Sequence, residues 1–192
     1  MPRIDHFGLM APFYERVIHL RDPQEQIEKI GLPVDGRLLD AGGGTGRVAQ
    51  ALRGLASQVV VADLSLGMLR QAQQKRGLET VSAQSERLPF PGASFERVIM
   101  VDALHHVISQ AETASELWRV LQPGGRIVIE EPDVRTWAVK LVALGEKLAL
   151  MRSHFLSPPR VAALFTYPGA DTRLLEDGFT TCIVIEKQKA MR

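Results

Sequence analysis

Three groups of residues in this 192-residue sequence have types and spacing that could do chemistry. The first is Asp40-Ala41-Gly42-Gly43-Gly44-Thr45-Gly46, directly after the apolar pair Leu38-Leu39. Glycines at 42, 44 and 46 let the main chain turn tightly and meet a ligand with no Cβ in the way. The spacing does not suit a dinucleotide: G-x-G-x-x-G would need a third glycine at 47, where Arg47 stands. No Lys follows the glycines, so the loop is not the phosphate-binding G-x-x-x-x-G-K-[ST] either. The carboxylate of Asp40 before the loop would repel a phosphate and welcome a cation, which points to a nucleoside carrying positive charge.

The second group is Asp63, closing the apolar run Val59-Val60-Val61-Ala62. A carboxylate there can accept from both hydroxyls of a ribose, although dinucleotide folds place an acid at the same point. The third is His105-His106, just after Val98-Ile99-Met100-Val101-Asp102. The pair could include a catalytic base or could simply begin a helix. No carboxylate–histidine set nearby has helical ligand spacing, so no metal site is expected. Tyr14 either reaches over the ligand or packs with Phe13, and Glu130-Glu131 reads as pocket rim. Trp118, Trp137 and Cys182 sit in apolar patterns and read as core.

The elements that must position these residues alternate, short β-like runs with helical stretches, the signature of a mainly parallel α/β sheet. Strands are expected at Arg37–Asp40, Gln58–Ala62, Glu79–Ala83, Arg97–Asp102 and Arg126–Glu130. A helix is expected from about Thr45 to Gly54, a second capped by Ser65 and running to about Lys75, and a third stopping at Pro123-Gly124-Gly125. Upstream, Met10–Leu20 has an apolar stripe at helical spacing, and Asp22-Pro23 opens a helix to about Ile30. Downstream, Trp137, Leu141, Leu144, Leu148 and Met151 mark a long amphipathic helix over 134–153, and Ser157-Pro158 opens a short one to Phe165. In the tail, Asp177-Gly178 between strand-like runs favours a hairpin pairing about Ala170–Glu176 with Thr180–Ile185, over a helix ending at Gly178.

Composition bounds the rest. Twenty-three Lys and Arg against 22 Asp and Glu leave +1, which argues against a nucleic-acid partner held by bulk charge. Hydrophobic residues at 45% fit one ordinary globular domain, and the length suits one rather than two. A single cysteine excludes an internal disulfide framework. No apolar run is long enough to span a bilayer and the N-terminus has no secretory pattern, so integral membrane contact is not expected and a cytoplasmic location is.

Further motifs follow in order: Leu88-Pro89-Phe90-Pro91, Ser94-Phe95-Glu96-Arg97-Val98, Asp102-Ala103-Leu104-His105-His106, and Leu121-Gln122-Pro123-Gly124-Gly125-Arg126-Ile127. With them the sequence resembles the class I methyltransferases that use S-adenosylmethionine, especially the branch containing the ubiquinone/menaquinone-biosynthesis C-methyltransferases. The resemblance runs from about Phe7 to the C-terminus and is densest over 38–130. It implies a Rossmann-like, seven-stranded, mainly parallel sheet flanked by helices, with an antiparallel C-terminal hairpin and an N-terminal helical lid. Residues 1–192 would form one domain, with the lid at 1–34, the cofactor core at 35–133, and the long helix, short helix and hairpin at 134–192.

The resemblance also implies roles. Asp40, Gly42 and Gly44 would line the methionine end of S-adenosylmethionine, with Asp102 and Ala103 nearby. Asp63 would hold the ribose, and Leu64 and Met68 would lie near the adenine. Gln84-Ser85 stands where the family usually has an acid for the adenine amine, a departure that the Gln84 carbonyl can still serve. The implied reaction is in-line transfer of the methyl to a small hydrophobic or aromatic, quinone-like acceptor, leaving S-adenosylhomocysteine. His105, His106 and Tyr14 are candidate bases should the acceptor have to lose a proton. Two other functions stay open: a protein that binds the cofactor without transferring from it, and a nicotinamide-dependent oxidoreductase, against which the glycine spacing speaks.

Overall fold

A computed structural model describes residues 23–135, 154–177 and 180–189. The expected helix Met10–Leu20, with Tyr14, lies outside them, as does the long helix beyond its first two positions, with Trp137.

A seven-stranded sheet organises the described residues. Its strands are β1 (Arg37–Ala41), β2 (Gln58–Asp63), β3 (Leu78–Ser82), β4 (Phe95–Val101), β5 (Leu121–Pro132), β6 (Ala170–Asp177) and β7 (Thr180–Lys187). They lie in the order β3-β2-β1-β4-β5-β7-β6. The first five pair in parallel, whereas β7 runs antiparallel to β5 and to β6. The Rossmann-like arrangement and the C-terminal hairpin are therefore as expected. Strand order reverses between β1 and β4, and that switch opens a crevice at the carboxyl ends of the two strands.

Alternation along each strand splits the core between the two faces. Leu39, Val60, Val98, Ile127, Ile129 and Ile183 point to one face, beneath α4 (Gln110–Val120) and α5 (Pro158–Ala162). Leu38, Val59, Val61, Ile99, Val128 and Cys182 point to the other, beneath α1 (Pro23–Ile30), α2 (Arg47–Leu52) and α3 (Leu66–Ala72). Central strands covered on both sides explain the unbroken apolar runs in β2 and β4. Part of the segment read as a lid belongs to this core: α1 lies on the sheet, and its Ile30 is buried against Val128 and Cys182.

Two elements differ from expectation. Gly46 takes a left-handed conformation, φ +70°, so α2 starts at Arg47 rather than at Thr45. Strand β5 begins at Leu121, directly after α4, and carries Pro123-Gly124-Gly125 within it. Leu121 pairs with Phe95, and a register shift then lets Arg126 pair with Arg97, so the glycines are taken up as an irregularity in the ladder. The Lys187 ammonium closes the end of α4 by donating to the carbonyls of Trp118 and Leu121, 2.8 Å each.

Candidate active site

Main chain builds the β1 side of the crevice. Asp40 is 1% exposed and lies beneath the glycine loop, where the Ala49 N–H donates to its carboxyl. A Cβ on Gly43 would come within 2.5 Å of the Asp40 carboxyl carbon, so the loop rests directly on that acid. Burial, which favours the neutral form, pushes Asp40 up to about 7 against the Ala49 hydrogen bond. Asp40 Oδ2 is buried and has no hydrogen-bond partner among the described residues. The anionic Asp40 open to the crevice, expected from sequence, is thus corrected: the acid supports the loop from below and shares a proton near neutral pH.

Gly42 and Gly44 both have positive φ, +69° and +54°. A side chain at Gly42 would meet the Cβ of Ala103 at 2.7 Å, so this glycine lets the loop close against the residue that follows β4. At Gly44 a Cβ would meet nothing nearer than Met68 Sδ at 3.9 Å and Asp63 Oδ2 at 4.0 Å. Its outer side therefore faces open space bordered by an acid and a thioether. Asp63 Oδ2 accepts from the Gly44 N–H at 2.9 Å, and Oδ1 from the Ser65 N–H at 2.8 Å. Both oxygens thus accept from main chain, and the half-buried carboxylate borders the open space at Gly44. Ser65 caps α3 as expected, accepting from Met68 N. Met68 is buried and Leu64 is 57% exposed on the rim. The end of β3 is tied to this corner by the Ala83 N–H donating to the Asp63 carbonyl, which carries exposed Gln84 and half-buried Ser85 next to it.

Side chains build the β4–β5 side. Asp102 leaves β4 with φ +52°, a left-handed conformation that costs a non-glycine residue energy and clusters at functional sites. Burial, reinforced by Glu131 and Glu130, pushes its carboxyl up to about 6. Glu131 accepts from the Ala103 and Leu104 N–H groups at 3.0 and 2.8 Å, and its other oxygen lies 2.6 Å from His105 Nδ1. It is 6% exposed, so the pocket-rim expectation fails. The reason is the strand period: Glu131 follows Ile127 and Ile129 on one face, while Glu130 follows Val128 on the other and accepts from buried Gln26 at 3.4 Å.

The two histidines lie in a short 3₁₀ turn, Leu104–His106, separate from α4. His105 is buried and stacks on Phe155, ring centroids 4.3 Å apart. His106, 4.0 Å from the His105 ring, is pushed down to about 3 by burial and by that neighbour, so it stays neutral. Among the described residues no group of His, Cys, Asp and Glu could hold a metal ion, and no helix is long and apolar enough to cross a membrane.

The crevice thus brings Gly42, Gly44, Asp63, Met68, Asp102 and Ala103 to one end of the sheet. An open glycine turn beside a half-buried carboxylate fits a nucleoside. Sequence reasoning missed Glu131 as the brace of the β4 turn. A signal for Glu131 was present: two acids ending an apolar strand must point to opposite faces.

Comparison with known proteins agrees. Residues 39–129 match the family described as a methyltransferase domain. A ubiquinone/menaquinone biosynthesis C-methyltransferase of Coxiella burnetii is 33% identical over 135 residues, 65% of this chain and 54% of its own length. One from Pseudomonas putida is 37% identical over 115 residues, 55% of this chain and 45% of that protein. The chain spans about half the length of the curated relatives it matches. A Thermotoga maritima structure, described as an S-adenosylmethionine-dependent methyltransferase and possible histamine N-methyltransferase, superposes with a TM-score of 0.78 at 20% identity, covering 95% of this chain and 98% of that one. Residues 39–129 of the chain thus match a methyltransferase-domain family, on a fold shared with the Thermotoga maritima structure.

Proposed function

We propose that the chain transfers the methyl group of S-adenosylmethionine to a small hydrophobic or aromatic acceptor of quinone-like shape, leaving S-adenosylhomocysteine. One observation carries the reading: the side-chain-free turn at Gly44 opens beside Asp63 at the strand-order switch. The C-methyltransferases among the relatives support the acceptor class.

In this reading Asp63 holds the ribose hydroxyls. Leu64 and Met68 flank the adenine, and Gln84 with Ser85 meets its polar edge. Gly42, Gly44, Asp102 and Ala103 border the methionine end, above Asp40. The bound nucleoside supplies a methyl on positively charged sulfur, already activated for displacement. What remains for the protein is alignment and exclusion of water, and alignment alone can be worth effective molarities of about 10⁵–10⁸ M. Where the acceptor must lose a proton, His105, His106 and Tyr14 are the candidate bases. The Glu131 carboxyl, 2.6 Å from His105 Nδ1, orients that ring.

Thermal melting with S-adenosylhomocysteine, NAD and NADP tests the cofactor, because a ligand of the folded state raises the melting point by mass action. Transfer of labelled methyl to a reduced naphthoquinone with a free ring position tests the reaction. A rise with S-adenosylhomocysteine alone, and label in the quinol that disappears with D63A, is the expected result. A rise with NAD or NADP alone would overturn it.

A further inference from the structure

Helix α1 runs antiparallel to β5. Its Ile30 is buried with Val128, and one turn earlier Gln26 Nε2 donates to Glu130 Oε2 at 3.4 Å. At the other end the Gly31 carbonyl accepts from the guanidinium of Arg97, early in β4, at 3.1 and 3.2 Å. The first turns of α1 therefore lie at the carboxyl ends of the strands. Glu130 sits beside the exit of β4: it pairs with Val101, and its carbonyl accepts from the Asp102 N–H at 2.9 Å. Gln26 thus touches the immediate neighbour of Asp102, which borders the crevice. It is 6% exposed, and its Oε1 is buried with no hydrogen-bond partner among the described residues. A buried carbonyl oxygen left so costs free energy that a donor on a ligand would recover.

An amide oxygen only accepts, so the missing group is a hydrogen-bond donor. Sheet order puts β5 beyond β4 and two strands from β1, away from the corner where Gly44 meets Asp63. With the nucleoside in that corner, the side toward β5 is left to the methyl acceptor. Charge there decides the form in which a ring oxygen can enter. Glu131 and Glu130 already push the buried Asp102 carboxyl up to about 6, so a further anion such as a phenolate is disfavoured and a neutral hydroxyl is not. We infer that Gln26 Oε1 accepts a hydrogen bond from a ring hydroxyl of the methyl acceptor, and so selects a quinol or phenol over the same ring without an O–H. This rests on the function proposed above and adds the residue that reads the acceptor's hydroxyl.

Two probes that differ only in that donor separate the possibilities: α-naphthol and its methyl ether. Each is titrated calorimetrically into wild type and Q26M already saturated with S-adenosylhomocysteine. The wild type should bind α-naphthol at least about tenfold more tightly, because the ether leaves the buried oxygen unpaired. Q26M, of similar length but without that oxygen, should bind the two probes within about twofold of each other. Its affinity for S-adenosylhomocysteine should stay within about twofold of wild type. A melting curve checks the variant, and Q26L, also apolar and a strong helix former, carries the test should Q26M fail to fold. A wild type that binds both probes equally, or neither, overturns the inference, as does a Q26M that keeps the preference for α-naphthol. A Q26M that loses S-adenosylhomocysteine would assign Gln26 to the cofactor and overturn it too. A wild type that does not bind S-adenosylhomocysteine would instead overturn the proposed function.

Discussion

The two sides of the crevice are made of different material. Around β1 and β2 the contacts come from main chain, with Gly42 closing on Ala103 and Gly44 donating to Asp63. Around β4 and β5 they come from side chains distant in sequence, with Glu131 bracing a turn 26 to 28 residues earlier. A backbone-built wall depends on glycine conformations and on keeping the space beside it free of bulk. A side-chain-built wall needs each partner present and fails when one is deleted. The contrast teaches where each side is vulnerable: the first in ligand affinity, the second in stability.

The largest expected effect is therefore on binding. G44V places a β-branched residue at φ +54° and fills the space beside Asp63, so affinity for S-adenosylhomocysteine should fall more than about a hundredfold while the melting point drops only a few degrees. Calorimetry with a melting curve checks both. A variant that bound normally would show that this wall is not backbone-built.

E131A should do the reverse. It leaves two buried N–H groups and His105 Nδ1 without an acceptor, at about 1–3 kcal/mol for each unsatisfied group. The melting point should fall by about 6 °C or more. E131Q keeps one acceptor oxygen and should lose less. Equal stability of E131A and the wild type would break the comparison.

Asp40 joins the two sides and gives a pH signature. Its folded pKa, about 7, is raised from an ordinary 3.8, so the folded state holds a proton that the unfolded chain has released between those values. This stabilisation is complete below about pH 4 and is lost as pH rises through 7. D40N, which mimics the protonated acid, should melt a few degrees above wild type at pH 8 and close to it at pH 4. Without ionised Asp40 and Asp102, the wild type should also bind a cationic nucleoside less tightly at pH 5 than at pH 8. Denaturation and titration series across pH would refute this if both were flat.

The smallest effect is expected at exposed Gln84. Q84D restores a charged acceptor for an amine and should hold or modestly improve S-adenosylhomocysteine affinity, by about threefold at most, in the same calorimetric assay. A large loss would show that the β3 end does not face the adenine.

Much of this molecule was determined by local sequence. The G-x-G-x-G turn, the valine run of β2 with Asp63 at its end, the Ser65 cap and the pairing of β6 with β7 each follow from conformational rules acting over a few residues, so their types and order suffice. The roles of Asp40 and Glu131 do not follow that way. Whether Asp40 is an exposed anion or a buried proton-sharing prop depends on the loop folding back over it. Glu131 becomes a brace only because β5 lies beside β4 in a register that brings its carboxylate to the Ala103–His105 turn. Burial and long-range pairing set the charge and partners of these groups, and both come into being only when separate segments share one sheet.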